Sequence, residues 1–254
     1  MSDKLRRALM FVLVCVFLVS AVFFVKYFME YRKGDKIYET AKEFVVEAGD
    51  ATTAEEEKEE RVIDFASLQA VNEDVFGWIT IPETGVDYPL LDGEDNKYYL
   101  NRTYDGQWSS YGSIFLEFRN TGMDDRHVVL YGHNMVNKSM FGALIDYKEQ
   151  DFVDAHDTVE IILPDRTLIY HVFSAYTAHV DSPTYYMSFA DDAVFQQMID
   201  HMKANSVIAS DIIPTTEDQI LTLSTCTPAG AKKYRFVVNA VLAEEIPKET
   251  NITE

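Results

Sequence analysis

The sequence predicts a mostly β fold, a barrel or a sandwich, with a few helices added to it. Eight short runs of β-branched or aromatic residues are separated by Gly, Pro, Asn and Asp, and 47% of the 254 residues are hydrophobic. That spacing is typical of all-β domains, and that composition suffices for one sizeable core. The predicted strands are Trp78–Ile81, Tyr88–Leu91, Ser113–Phe115, His127–Tyr131, Thr158–Leu163, Leu168–Tyr176, Gln219–Thr225 and Tyr234–Leu242.

The first element is an apolar segment, Ala8–Val25, with basic residues on both sides. As a helix, its eighteen uncharged residues just span the hydrocarbon core of a bilayer. The competing interpretation is a cleaved signal peptide with Val19-Ser20-Ala21 as its site, but the apolar residues continue beyond it. We therefore expect residues 1–30 to form a cytoplasmic tail and an uncleaved transmembrane signal-anchor, with the rest of the chain outside the cell.

Residues 31–61 are charged and poor in large apolar side chains, and Gly49–Glu60 has no apolar periodicity. This composition predicts a helical stalk interrupted by a flexible linker. The folded domain is then expected to span residues 62–254.

The domain opens with a predicted helix that Asp64 can cap, with Phe65, Leu68 and Val71 on its apolar face. A second, shorter helix is predicted over Met140–Tyr147.

The strongest helix signal comes late, over Asp191–Asn205, with Val194, Met198 and Met202 as its apolar stripe. Between two of the predicted strands, Pro164-Asp165 is typical of a hairpin turn. One helix of this length among short strands keeps the prediction mostly β.

The charge of the chain argues against a nucleic-acid partner. The first 36 residues hold seven Lys or Arg and three Asp or Glu, whereas the whole chain has a formal net charge of −20. An acidic body repels phosphate backbones. The chain has two cysteines, and Cys15 lies inside the apolar segment, so we expect no disulfide and a free thiol at Cys226.

The candidate chemistry centres on Cys226, which ends the run Ile220–Cys226. A nucleophilic thiol needs a base or a cation near the sulfur and a group that holds developing negative charge. His133 follows one predicted strand and Arg235 begins another, nine residues after Cys226. Two antiparallel strands joined by Thr227–Tyr234 would bring Cys226 and Arg235 to one cleft. On spacing alone, a packed core cysteine remains the alternative.

An ordered set of motifs resembles the sortases, the cysteine transpeptidases of Gram-positive cell surfaces, and within them class B. The first two motifs are Leu221–Cys226 with Arg235 downstream, and Tyr131–Met135 upstream. Further class B-like blocks follow in the same order as in that class: Asn72–Ile79, Asp87–Pro89, Tyr98–Leu100, Gly112–Leu116, Arg119-Asn120 and Ser139–Gly142. The resemblance covers about residues 62–242 and implies an eight-stranded β-barrel with N-terminal helices and a late inserted helix.

The resemblance also implies roles for individual residues. Cys226 matches the nucleophile that attacks the Thr carbonyl of a sorting signal, often of the Asn-Pro-x-Thr type, to form a thioester. His133 matches the histidine that protonates the leaving amine, and Arg235 the arginine that binds the substrate and the oxyanion. Ser224, Thr225 and Asn134 flank these positions and are expected to shape the substrate cleft.

The expected partners are surface proteins that carry a sorting signal and an amine acceptor, either a cell-wall precursor or a pilin lysine in a pilus-polymerising enzyme. Neither a cofactor nor a metal is expected, because no carboxylate loop or His pair has ligand spacing. Class B members often have an acidic residue after the cysteine, whereas Thr227 stands here. A cysteine protease, or a membrane-anchored β-domain for binding or scaffolding with a structural cysteine, remains an alternative.

Overall fold

A computed structural model describes residues 3–47, 61–227 and 233–248. The chain runs through α1 (Asp3–Lys42), β1 (Val45–Glu47), β2 (Arg61–Ile63), α2 (Phe65–Val71), β3 (Val75–Thr80), β4 (Asp87–Leu91), β5 (Ile114–Leu116) and β6 (His127–Gly132). It continues with α3 (Gln150–Ala155), β7 (Thr158–Ile162), β8 (Arg166–His179), α4 (Asp192–Asn205), β9 (Ile220–Cys226) and β10 (Tyr234–Pro247). Short 3₁₀ turns occupy Tyr98–Asn101, Gly142–Lys148 and Pro183–Tyr185.

Eight strands close into one mixed barrel in the order β10-β8-β7-β3-β4-β5-β6-β9. Closure pairs the first and last strands of this sheet, so the barrel has no free edge strand. The pairs β4–β5 and β6–β9 are parallel, and the other barrel pairs are antiparallel. All eight predicted strands are confirmed. Of the two predicted architectures, barrel and sandwich, the structure has the closed barrel. Strands β8 and β10 are longer than predicted, and they pair along their whole length, from Tyr234–His179 to Pro247–Arg166.

The helix predictions hold with local corrections. Asp64 caps α2 by accepting the backbone N–H of Ser67 at 3.0 Å, and Phe65 and Leu68 are buried. Val71, however, is 48% exposed. Six residues turn an α-helix by about 600°, which places Val71 about 120° away from the face of Phe65.

The late helix α4 packs on the outside of the barrel, between β8 and β9 in the chain. Its buried side chains are Phe195, Met198, Ile199 and Met202, which contact Phe173, Tyr176 and Val237 among others. Val194 is only half-buried, so the predicted apolar stripe is centred one position too early. The sequence over Met140–Tyr147 forms the 3₁₀ segment Gly142–Lys148, shorter than a full α-helix and shifted by two residues at its start.

The N-terminal helix has two distinct halves. The side chains from Ala8 to Val25 are exposed except at Ala21, which is half-exposed. Further along, Gly34, Tyr38 and Ala41 are buried against the barrel, within the segment expected to be a stalk. Beyond the helix, β1 pairs with β2, while the expected linker Gly49–Glu60 lies outside the described residues.

The contact between α1 and the barrel is aromatic. The Tyr38 ring meets the rings of Tyr88, Tyr104 and Tyr111 at centroid distances of 5.1 to 6.4 Å. The Tyr38 hydroxyl is hydrogen-bonded to the carbonyl of Gly112 and to Ser113. Because this tyrosine is 4% exposed, its burial stabilises the attachment of α1 by about 2 kcal/mol.

Candidate active site

Strand pairing places Cys226 beside Arg235. Cys226 is the last residue of β9, and its direct partner across the antiparallel ladder is Arg235, the second residue of β10. Directly opposed side chains in such a pair project on the same face, with Cβ atoms about 5 Å apart. The sulfur and the guanidinium therefore start from adjacent positions on the barrel rim.

His133 reaches the same rim from the other side of β9. Strand β6 runs parallel to β9 with Gly132 opposite Thr225, so the next residue, His133, emerges beside Cys226. The Nε2 atom of His133 lies 2.6 Å from the carbonyl oxygen of Leu100. A carbonyl only accepts, so Nε2 carries the proton, and in the neutral ring Nδ1 is the basic nitrogen.

The ring of His133 rests against a glycine. Gly112 has φ of +59°, and a Cβ built on it would lie 2.9 Å from His133 Cδ2 and 2.6 Å from the Leu100 carbonyl oxygen. The left-handed backbone and the lack of a side chain both require glycine here. The segment that carries Gly112 thus forms a close backing for the imidazole.

One cavity of about 280 Å³ unites these residues. Cys226 is half-buried at its edge, and the lining includes His133, Arg235, Ser224 and Thr225. The remaining lining residues are Asn96, Leu100, Phe115, Glu117, Arg119, Tyr131, Gly132, Val180 and Tyr185. The cavity is concave, largely apolar and equipped with a few polar groups, as small-molecule and peptide sites usually are.

The flanking residues named from the sequence take different positions. The Ser224 hydroxyl is buried and lies 2.9 Å from the Tyr185 hydroxyl, and burial raises the pKa of Tyr185 to about 12. The Thr225 hydroxyl oxygen is buried without a hydrogen-bond partner among the described residues. Asn134 does not line this cavity; its side-chain amide donates to the carbonyl oxygen of Cys226 at 2.8 Å and so fixes the backbone of the cysteine.

A buried carboxylate forms part of the cavity wall and was not predicted as a site residue. Glu117, 1% exposed, accepts hydrogen bonds from Arg119 Nε at 2.7 Å, from the Tyr131 hydroxyl at 2.8 Å and from Asn96 Nδ2 at 2.7 Å. Burial alone would raise the pKa of Glu117, but these hydrogen bonds outweigh it and hold the pKa below its usual value. The sequence signal was a charged residue directly after the apolar run Ile114–Leu116.

Comparison with known proteins assigns a family to this arrangement. Residues 79–243 match the family model described as "Sortase domain". Sortase B of Staphylococcus aureus (strain NCTC 8325 / PS 47) is 37% identical over 175 residues, which cover 68% of this chain and 72% of that protein. Sortase B of Listeria monocytogenes serovar 1/2a (strain ATCC BAA-679 / EGD-e) is 33% identical over 240 residues, 94% of this chain and 96% of that one.

The fold comparison agrees. The solved structure of a Staphylococcus aureus sortase B–substrate complex superposes with a TM-score of 0.67 at 36% identity, covering 71% of this chain and 84% of that chain. The closed mixed β-barrel of this protein therefore matches the fold of sortase B structures.

Proposed function

This chain belongs to the sortase family of cysteine transpeptidases and its relatives are sortase B proteins, and on that premise we propose that it is a membrane-anchored class B enzyme that attaches surface proteins to the cell wall. It cleaves an Asn-Pro-x-Thr-like sorting signal after Thr and transfers the protein to an amine of a cell-wall precursor. A pilin lysine is the alternative acceptor. The observation that carries this proposal is the convergence of Cys226, Arg235 and His133 on one cavity.

The first half of the reaction forms a thioester. The Cys226 thiolate attacks the Thr carbonyl carbon, so that a C–S bond forms and the C–N bond breaks. The amine leaves with a proton from His133, whose charged ring holds one proton on Nε2 against Leu100 and a transferable one on Nδ1. Arg235 stabilises the negative oxygen of the tetrahedral intermediate with a planar fork of N–H donors.

The second half regenerates the enzyme. An acceptor amine attacks the thioester carbon, its proton passes to Nδ1 of His133, and the thiolate returns to Cys226. Arg235, the cross-strand partner of Cys226, places a positive charge beside the position that the thiolate occupies. Ser224 and Thr225 offer polar atoms to the peptide, and Asn134 holds the Cys226 carbonyl in place.

The N-terminal helix supports the anchored form. Its apolar part has a mean hydropathy of 3.1 over eighteen residues, none of them buried against the barrel. A signal sequence has the same composition. The helix, however, continues unbroken to Lys42, and its last turns pack on the barrel, which favours retention. In this arrangement the N-terminus is cytoplasmic and the barrel faces the wall.

The test uses the full chain in detergent micelles with a library of x-Pro-x-Thr-x peptides and an amine acceptor. Intact-protein mass spectrometry should detect an acyl adduct that amine converts to ligated peptide. Cys226→Ala should form no adduct, whereas Cys15→Ala, the matched control at the second cysteine, should keep it. Mainly hydrolysed product at high amine concentration would favour a protease. No adduct, together with a Cys226 that resists alkylation, would favour a scaffold domain.

A further inference from the structure

A hydroxyl group of the N-terminal helix holds the backbone that lies beside His133. Tyr38 is on the face of α1 that is buried against the barrel. Its hydroxyl is hydrogen-bonded to the carbonyl oxygen of Gly112 and lies 3.1 Å from the Ser113 hydroxyl. The contact therefore joins α1 to the segment that backs the imidazole.

The protons in this cluster can be assigned to their acceptors. The Ser113 hydroxyl donates its one proton to the Arg102 carbonyl oxygen at 2.7 Å. A carbonyl only accepts, so the single proton of Tyr38 goes to Gly112. Burial raises the pKa of Tyr38 well above its ordinary value. The hydroxyl therefore remains a donor to Gly112 throughout the neutral pH range.

Gly112 in turn borders two groups that orient the histidine. A Cβ built on Gly112 would lie 2.9 Å from Cδ2 of His133 and 2.6 Å from the Leu100 carbonyl oxygen. That same carbonyl oxygen lies 2.6 Å from Nε2 of His133. A shift of the Gly112 backbone would therefore reach both the edge of the ring and the acceptor of its Nε2 proton.

The hydrogen bond from Tyr38 matters because glycine does not fix its own backbone. Gly112 has φ of +59°, and glycine populates positive and negative φ about equally well. Its N–H donates to the Ser109 carbonyl at 3.2 Å, while its carbonyl accepts from Tyr38. Gly112 is buried, so loss of the Tyr38 donor would leave a buried acceptor to seek another partner.

We propose that Tyr38 is a positioning residue for His133, because its hydroxyl fixes the Gly112 backbone against which the imidazole rests. This inference rests on the proposed function, in which His133 protonates the leaving amine, and adds a residue outside the cavity that supports this step. Tyr38 does not line the cavity. It acts on the transfer of the Nδ1 proton to the leaving nitrogen as the C–N bond breaks.

The experiment compares two leaving groups on the same acyl peptide. Full-length protein in detergent micelles receives the acylating peptide found in the library, either as the amide or as the matching alkyl thioester. Attack by Cys226 expels an amine from the amide, which requires a proton donor. It expels a thiolate from the thioester, and a group with a pKa of about 8.5 leaves without one. Intact-protein mass spectrometry follows the rate of acyl adduct formation in a single turnover.

Two conservative variants isolate the hydroxyl contact. Tyr38→Phe removes the hydroxyl and keeps the buried ring. Tyr111→Phe is the matched control, because it removes another hydroxyl that joins α1 to the barrel, the one that donates to Asp35 Oδ1 at 2.6 Å. A general loosening of α1 would affect both variants, whereas a role through Gly112 is confined to Tyr38→Phe.

Tyr38→Phe should form the adduct from the amide about tenfold more slowly than the wild type, part of the roughly hundredfold loss that a misplacement of about 1 Å can cause. Its rate with the thioester should be unchanged, which also shows that the variant is folded. Tyr111→Phe should keep both rates.

The other outcomes each overturn a defined statement. Equal slowing of both substrates in Tyr38→Phe, or slowing of neither, would remove the positioning role and leave the proposed function standing. The same amide-specific loss in Tyr111→Phe would refute the assignment to the Gly112 contact. No adduct from the amide on the wild type would overturn the proposed function and this inference together.

A spectroscopic measurement tests the position of the ring directly. In protein with isotope-labelled histidines, the Nε2 signal of His133 is the one that disappears from the NMR spectrum of His133→Gln. In Tyr38→Phe this signal should shift, because the hydrogen bond to the Leu100 carbonyl is disturbed, whereas Tyr111→Phe should leave it in place. An unchanged His133 signal in Tyr38→Phe would contradict the proposal.

Discussion

Mild acid should destabilise this protein through one buried histidine. His127 is 2% exposed, with Nδ1 2.8 Å from the Tyr186 carbonyl oxygen and Nε2 2.9 Å from the Thr222 hydroxyl. Burial lowers the pKa of His127 from 6.5 to about 4. Tyr185, which directly precedes Tyr186, lines the candidate active site. His127 therefore supports part of the cavity wall through the Tyr186 carbonyl.

The sign and size follow from proton linkage. Between the two pKa values the unfolded chain binds a proton at His127 and the folded chain does not, so stability is lost as the pH falls below 6.5. With an unfolded pKa of 6.5 and a folded pKa of about 4, the free energy of unfolding drops by about 1.6 kcal/mol between pH 6.5 and pH 5. Carboxylates with ordinary pKa values near 4 contribute little in that window.

Urea unfolding of the full chain in detergent micelles measures this slope. Trp78 is fully buried in the barrel, so its fluorescence reports unfolding. His127→Gln should be less stable at neutral pH but should lose most of the slope between pH 6.5 and pH 5. His179→Gln, at a half-exposed histidine, should keep it. A wild-type slope that survives in His127→Gln would refute the assignment of the proton to this residue.

Three further changes test the active site. Arg235→Lys should lower transpeptidation about a hundredfold in steady-state assays, because a point charge cannot replace the bidentate fork; full rate would remove Arg235 from the mechanism. Gly112→Ala should push His133 aside and abolish transfer, while native-state alkylation of Cys226 continues. Glu117→Ala leaves buried hydrogen-bond donors unpaired and should lower the urea-unfolding free energy by about 1–3 kcal/mol, whereas the exposed neighbour change Phe118→Ala should not.

The barrel could be predicted because its strands are short and strongly patterned. The predicted runs are rich in β-branched or aromatic residues and are bounded by turn residues, as in the hairpin at Pro164-Asp165, where the Leu163 N–H donates to the Arg166 carbonyl. The choice of a closed barrel over a sandwich is not a property of any single run. It depends on pairs between strands that are distant in sequence, such as β3–β7 and β6–β9.

The packing of the N-terminal helix could not be predicted from local composition. Residues 31–42 are charged, and a charged helix indicates a solvated stalk. Tyr38 and Gly34 are buried by tertiary contacts, Tyr38 against the Tyr88 ring and Gly34 against the Tyr111 ring, both far away in the sequence. A small residue and a tyrosine spaced by four on one face were the only local indications.

In the candidate site, too, some contacts can be predicted from the local sequence pattern and others arise only from the tertiary fold. The pairing of Cys226 with Arg235 follows from two adjacent antiparallel strands, so the side-chain period of two and the length of the connection suffice to predict it. The role of Glu117 depends instead on the tertiary fold, which brings the Tyr131 hydroxyl and the Asn96 amide to its carboxylate. The candidate residues Cys226, His133 and Arg235 were therefore visible in the sequence as a motif, whereas the buried carboxylate in the wall of their cavity became visible only in the closed barrel.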